Sequence, residues 1–386
     1  MPIRLFGADK IEYFNSLAEQ AQPNAQIIWK RSGLGKMTAD ITFLRNHTIL
    51  LSLSDKILCI DEQGIVKWES KNGSQGKVGQ LVWPGGTSIF VPGIGTVREI
   101  KLNGAAGWNL AVVPAAKGLK NPLLAGDKNL IYLPAAEGLY ALYTNGHIAW
   151  IMSPWDSADR YTLNSPADRS FLTCTADSNT FYIIMADQKG GYKLKAIDNR
   201  GVSLWSFWLG DILEAWLCPD GKGNIYMTAT AKPLKQSGGG QKNSKLNIAT
   251  IYCIERDGKR PLWQTSVKIK DTLSKPVLTT DGMLYCTGGK CLYALNAASG
   301  AYAWEDPVLN LVSAPCVDEK KGRIYAGTSD EVLVAISRQG RMLWSRKLEG
   351  AIEAKPSIKD GYIYVSTQKG SLYKIKDVYD NSAKGE

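Results

Sequence analysis

Long apolar runs are missing from this 386-residue chain. No stretch approaches the roughly 18–20 apolar residues that carry a helix across a bilayer, so no helical membrane span is expected. Histidine is nearly absent: the chain holds only His47 and His147, and they fall in different repeats. Neither CxxC nor HExxH spacing occurs, so no zinc or other metal site is expected. The seven cysteines (59, 174, 218, 253, 286, 291 and 316) are odd in number and no two are adjacent, which argues against a secreted disulfide framework. They read as small buried hydrophobes. Cys286 and Cys291 flank the turn TGGK and are the pair that could face across a hairpin. The N-terminus, MPIRLFGADKIEYF, lacks the apolar core of a secretory signal, which gives a cytoplasmic location as the expectation.

Charge of one sign is not concentrated either. Lysine and arginine exceed aspartate and glutamate by 46 to 36, a net +10, but the excess is spread along the chain. A basic balance admits nucleic acid, an anionic surface or an acidic protein as partner. Two glycine-rich stretches, GGTSIFVPGIG and KQSGGGQKN, match neither a P-loop nor a dinucleotide fingerprint.

What the chain does have is tryptophan at a regular beat. Trp29, Trp68, Trp108, Trp150, Trp205, Trp263, Trp304 and Trp344 stand 39, 40, 42, 55, 58, 41 and 40 residues apart. Gly64, Gly104, Gly146, Gly201, Gly300 and Gly340 each precede one of them by four positions, and Gly258 precedes Trp263 by five. A period near 40 is one four-stranded propeller blade. Within it, short β-branched and aromatic runs alternate with Gly, Asn and Asp turns, and the glycine supplies a positive φ to the last hairpin.

After Trp344 only three strand-like runs remain, 355–358, 362–366 and 371–376, whereas 26–30 is an orphan fourth strand carrying Trp29. The expected fold is therefore all-β: an eight-bladed β-propeller of four-stranded antiparallel blades, closed by the N-terminal strand in the last blade, which leaves no exposed sheet edge at the seam. The expected division is an N-terminal segment 1–25, a propeller 26–376 and a flexible tail 377–386. Asp9, with Glu12 three residues on, reads as the start of a short helix reaching about Gln20.

These repeats resemble the PQQ-type, quinoprotein alcohol dehydrogenase-like propeller family. The family's Ala-x-Asp-x-x-x-Gly-x-x-x-Trp motif is carried by Ala294, Asn296, Gly300 and Trp304. It recurs one residue shorter as Ala196, Asp198, Gly201 and Trp205, and as Ala335, Ser337, Gly340 and Trp344. The resemblance implies that each indole stacks between neighbouring blades and docks its N–H on adjacent main chain. In size and plainness the blades are most similar to the outer-membrane-assembly branch of that family, though no lipoprotein signal opens the chain.

A quinoprotein dehydrogenase would, by that resemblance, need a disulfide of adjacent cysteines, a calcium-binding Glu–Asn pair and an aspartate base. The cysteine pair is missing. The candidate aspartates Asp61, Asp198 and Asp257 sit at hairpin ends, where Asp bonds its own turn, and His147 reads as an exposed neighbour of its turn glycine. The expectation is a protein with no catalytic residue and no cofactor.

A binding surface remains. Both long tryptophan intervals insert material in loops expected on one face. The stretch 151–166 offers Trp155, Arg160 and Tyr161, residue types common at binding hot spots. The stretch 230–246 offers Lys232, Lys235, Lys242 and Lys245 with no interleaved acid. Trp208 and Trp216 are expected in the connection between blades four and five, on the same side. The reading is a monomeric, non-catalytic scaffold that binds an acidic protein partner there. The alternatives left open are a quinoprotein-type, PQQ-dependent oxidoreductase or cofactor-binding protein, and binding of nucleic acid or an anionic surface by the basic loop.

Overall fold

The computed structural model describes residues 24–45, 47–71, 79–93, 96–111, 125–126, 130–135, 138–153, 171–177, 179–187, 190–231, 246–258 and 260–379. The expected helix at 9–20 lies outside them, and no helix occurs among the described residues. The strands form eight antiparallel sheets, seven of four strands and one of three. These are the blades of an eight-bladed β-propeller.

Blade two is the three-stranded one. Its first strand shrinks to a single bridge, Val82 to Phe90, because WPGGT at 83–87 is turn-forming sequence where the other repeats place a strand. Blade eight is the composite one. Ala25–Arg31 pairs antiparallel with Leu372–Asp377, from Ala25 opposite Asp377 to Arg31 opposite Leu372, with a bulge between Ile27 and Trp29. The expected bounds 26–30 and 371–376 thus hold to within a residue, with one consequence. Asp377, assigned to the flexible tail, is the last residue of that strand and is buried. The remaining tail, 380–386, lies outside the described residues.

The chain divides into two compact units. One holds Met1–Met37, Thr279–Asn296 and Tyr302–Glu386; the other holds Thr38–Leu278 and Ala297–Ala301. Each is built in the same way. Second and third strands are buried on both faces, as in the second strands Leu130–Pro134 and Arg323–Gly327, where every residue is buried, and in the interior of the third strand Tyr192–Asp198. Fourth strands alternate instead: Ser203–Gly210 and Pro261–Ile269 expose every second side chain along most of their length, the mark of a strand with one covered face.

In seven blades the second strand also supplies a ring to its own blade's tryptophan, blade one having Leu50 and Leu51 instead. Phe90–Trp108, Tyr132–Trp150, Tyr182–Trp205, Tyr226–Trp263, Tyr285–Trp304, Tyr325–Trp344 and Trp29–Tyr364 have ring centroids 5.6, 6.1, 6.0, 6.0, 6.1, 5.8 and 6.1 Å apart. Tilted and edge-on contacts of this kind add to the area the rings bury. This explains why the second strands read IYL, FYI, IYM, LYC, IYA and IYV.

Candidate partner-binding site

Each blade has two ends, and they are built differently. At one end the third strand turns into the fourth, and there the tryptophans dock. The indole N–H groups of Trp68, Trp108, Trp150, Trp263 and Trp304 donate to the main-chain oxygens of Leu102, Thr144, Asn199, Ala297 and Arg338, at 2.9, 3.1, 2.8, 2.8 and 2.7 Å. Every acceptor lies in the turn of the next blade. The turn glycine has a second duty there besides its positive φ. A Cβ on Gly300 would lie 2.4 Å from the ring of Trp263, and one on Gly104 2.7 Å from that of Trp68. The hydrogen on glycine is what lets the preceding indole lie flat against the turn.

Trp344 differs. Blade eight has no turn at this position, because its fourth strand comes from the N-terminus. The indole of Trp344 donates instead to Asp377 Oδ1 at 3.1 Å. Asp377 Oδ2 accepts from Arg323 Nη1 and from the Tyr325 hydroxyl, each at 2.5 Å. Arg323 Nη2 donates to the Tyr379 oxygen at 2.7 Å. A buried carboxylate thus replaces the missing turn carbonyl, and a buried guanidinium balances it.

The aspartates weighed as catalytic candidates are engaged at this same end. Asp61 Oδ1 accepts from the N–H groups of Gln63 and Ile65 at 3.0 and 2.8 Å. Asp198 Oδ1 accepts from those of Arg200 and Val202 at 2.9 and 2.8 Å. Burial pushes the Asp198 pKa up, but the bonds from Val202 and Arg200 outweigh it and leave the carboxyl below its ordinary value. Asp257 is exposed, and in its blade Glu255 stands at the position of Asp61 and Asp198, its main-chain oxygen accepting from the Gly258 N–H at 2.8 Å. His147 is exposed, its own N–H donating to Asn145 Oδ1 at 3.0 Å.

At the other end of each blade, second strand passes to third and fourth strand passes to the next blade. This end is irregular in blades four and five. The expected contact residues Trp155, Arg160, Tyr161, Lys232, Lys235, Lys242 and Lys245 lie outside the described residues, but their frame is defined. Ile151 and Met152 still belong to the fourth strand of blade three, Ile148–Met152, and Thr230 and Ala231 to the second strand of blade five, Ile225–Ala231. Both insertions are therefore shorter than the sequence suggests, and both attach at this end.

The frame is rigid. Lys193 and Asp187, both buried, pair at 3.2 Å across the second-to-third strand turn of blade four. Gly191 and Gly210, both at positive φ, pack so closely that a Cβ on Gly191 would lie 2.3 Å from the Gly210 oxygen. In blade five, Asn247 Nδ2 donates to the Asp271 oxygen at 2.9 Å, and Thr228 Oγ1 to the Ser274 oxygen at 2.9 Å.

On this frame sit apolar side chains that water can reach. Trp208 is 56% exposed, and Leu213, Leu246 and Ile248 are exposed too, the last two directly after the second insertion in sequence. Trp208 was expected in the connection between blades; it lies instead in the fourth strand of blade four, and Trp216 is half-buried in the first strand of blade five, Ile212–Pro219. Leu213, Leu246 and Ile248 were not anticipated. The spacing of Leu246 and Ile248, with buried Asn247 and Ala249 between and after them, is the alternation that marks an outward face.

The cysteines are free. Cys59, Cys253, Cys286 and Cys316 are buried as expected, whereas Cys174, Cys218 and Cys291 are half-buried. Cys286 stands opposite Tyr293 and Cys291 opposite Gly288, so the two thiols are diagonal neighbours. Burial pushes the Cys286 thiol up to about 12, which makes it a poor nucleophile.

Compared with known proteins, residues 190–383 match the family described as outer membrane protein assembly factor BamB. The BamB of Yersinia pestis is 29% identical over 141 residues, a match spanning 32% of this chain and 35% of that protein, so only about a third of the curated relative is covered. Among solved structures, BamB from Moraxella catarrhalis superposes with a TM-score of 0.64 at 14% identity, covering 91% of this chain and 99% of that one. A quinohemoprotein alcohol dehydrogenase from Pseudomonas putida gives 0.63 at 13%, covering 94% of this chain and 78% of that one. At such identities the structural likeness speaks for the fold alone. The relatives also correct the expected location. A cytoplasmic placement conflicts with proteins described as assembly factors of the outer membrane. That expectation rested on the first residues of the chain, and nothing in the propeller strands carries an address.

Proposed function

Because the chain belongs to the family of the outer membrane protein assembly factor BamB, we propose that it is a non-catalytic scaffold that binds a protein partner in assembling outer membrane proteins. The partner surface is the loop-bearing end of blades four and five. The observation that carries this reading is the exposed Trp208, which stands opposite Lys193 of the neighbouring strand, itself paired with buried Asp187, at the end of the blades where both insertions attach. A large aromatic held rigidly in water is a costly residue to keep unless something covers it, and tryptophan is the commonest anchor of protein interfaces.

Trp155, Arg160 and Tyr161 are proposed to extend that anchor. Lys232, Lys235, Lys242 and Lys245 are proposed to draw in an acidic partner by long-range attraction, which acts on the association rate more than on the final affinity. Against a quinoprotein reading stand the sequence, which holds no adjacent cysteines, and the engagement of Asp61 and Asp198 in their own turns.

The test is co-purification of the wild type from cell envelopes, compared with Trp208→Ser and with 232–245 replaced by a short Gly-Ser turn. A partner retained by wild type and lost from both variants, which melt like wild type, supports the proposal. Equal capture by all three moves the site elsewhere.

A further inference from the structure

The third-strand residue opposite the docking tryptophan is small in six blades: Cys59, Ala141, Ala196, Cys253, Ala294 and Ala335. A bulge follows this residue in every one of them. In blade two the bulge falls between Arg98 and Ile100, and the residue facing Trp108 is Glu99. Two positions on, where Asp61 and Asp198 close their turns, blade two has Lys101, which closes its turn through main chain alone. Blade two thus carries a carboxylate where six blades have a small residue, and an ammonium where blades one and four have an aspartate.

Glu99 is only 5% exposed. Its Oε1 accepts from Ser88 Oγ at 2.5 Å and from Lys101 Nζ; its Oε2 accepts from the main-chain N–H of Trp108 at 3.3 Å. Burial raises the Glu99 pKa, but the bonds from Lys101, Ser88 and Trp108 outweigh it and hold the group below its ordinary 4.5, so it is an anion at neutral pH. A Cβ on Gly107 would lie 2.0 Å from Oε2. Glycine at that position makes room for the carboxylate.

Above Glu99 opens a cleft of about 460 Å³, lined by Thr87, Ser88, Phe90, Lys101, Trp108 and Asn145 among others. Lys101 stands at its rim with 45% of its side chain exposed. The fixed charge in the cleft is negative and buried, and its counterion is a flexible chain half in water. Oε2 holds a single long bond, although each carboxylate oxygen can take two donors. The rings of Phe90 and Trp108 add faces that attract cations.

We propose that this cleft binds a guanidinium group, which displaces the Lys101 ammonium and donates to both oxygens of Glu99. Guanidinium suits the site better than ammonium because its planar fork can reach both oxygens at once. The site lies at the turn end of blades two and three, away from the partner surface proposed above, and stands or falls separately from it.

Calorimetric titration of the full chain with N-acetylarginine amide, agmatine and the neutral N-acetylcitrulline amide tests the proposal. Wild type is expected to bind one or both guanidinium probes and to take citrulline at least tenfold more weakly. Preference for the acetylated amide identifies an arginine side chain of a peptide as the source, and preference for agmatine a free amine-bearing metabolite. Glu99→Gln is expected to lose at least tenfold in guanidinium affinity, and Lys101→Met to gain several-fold because the internal competitor is gone. A purely structural ion pair predicts the opposite for Lys101→Met, with no gain in binding. Wild-type binding that does not discriminate guanidinium from citrulline, or equal binding by Glu99→Gln, overturns the proposal. Should Glu99→Gln fail to fold, Lys101→Met decides: unchanged or weakened binding contradicts the site.

Discussion

The two ends of the blades obey different rules. At the turn end, one arrangement repeats from blade to blade: an indole donates to the next turn's carbonyl and lies on that turn's glycine. At the loop end, lengths vary, two insertions break the 40-residue beat, and apolar side chains such as Trp208 stand in water. Repetition carries the fold, because joint after joint satisfies the same indole donor. Irregularity is free to carry recognition, because no joint depends on it. The comparison predicts that substitutions at the turn end cost stability and those at the loop end cost binding.

The largest stability effect is expected at the joint that has lost its turn. Asp377→Ala removes the shared acceptor of Trp344, Arg323 and Tyr325 and leaves a buried guanidinium without its counter-charge, a loss of about 3–5 kcal/mol. Asp377→Asn keeps an acceptor and should fall between alanine and wild type in denaturant unfolding. If Asp377→Ala unfolds at the wild-type midpoint, the carboxylate is not replacing the turn.

A matched pair of glycines sharpens the same point. Gly361→Ala meets only the backbone penalty, since its φ is +77° and nothing lies within 4 Å of a new Cβ; a loss of roughly 1–2 kcal/mol is expected. Gly300→Ala, with a similar φ of +70°, also drives a methyl into Trp263 and should cost clearly more. Equal melting temperatures for the two variants would mean that the glycine serves the hairpin alone.

Glu99 gives a smaller, pH-dependent effect. Its folded pKa lies below the ordinary 4.5, so folding holds the ionised form more firmly than the unfolded chain does. The stability it contributes is complete above about 4.5 and fades as pH falls through the folded value. The stability gap between wild type and Glu99→Gln should therefore narrow in acid. A gap that widens below pH 4.5 would reverse the assignment. At the loop end, Trp208→Ser is expected to leave the melting temperature within about a degree of wild type, since more than half of the residue's surface already faces water.

Much of the turn end was legible in the sequence, because the requirements are local. Glycine four residues before tryptophan states both the positive φ and the docking strand, and Tyr362–Ser366 was placed to the residue. Blade eight was legible by counting strands, but the role of Asp377 was not. Past the last strand-like run nothing local distinguishes a buried carboxylate from the first residue of a tail; only its partners Arg323 and Tyr325, more than fifty positions away, make the difference. Glu99 could have been found by lining up the position before each turn, where it stands among cysteines and alanines. The loop end was legible only as irregularity. Trp208 was misplaced because its strand, SLWSFWLG, runs on five residues past the docking tryptophan, where the repeat offered no template.

The comparison is tested most directly by placing a photo-crosslinking amino acid, p-benzoylphenylalanine, at each end of one blade. Trp208 marks the loop end of blade four, and Arg200, in the turn of the same blade with its side chain 80% exposed, marks the other. Irradiation of envelopes should give a discrete protein adduct from position 208 and none from position 200. An adduct from position 200 alone would contradict the assignment of recognition to the loop end.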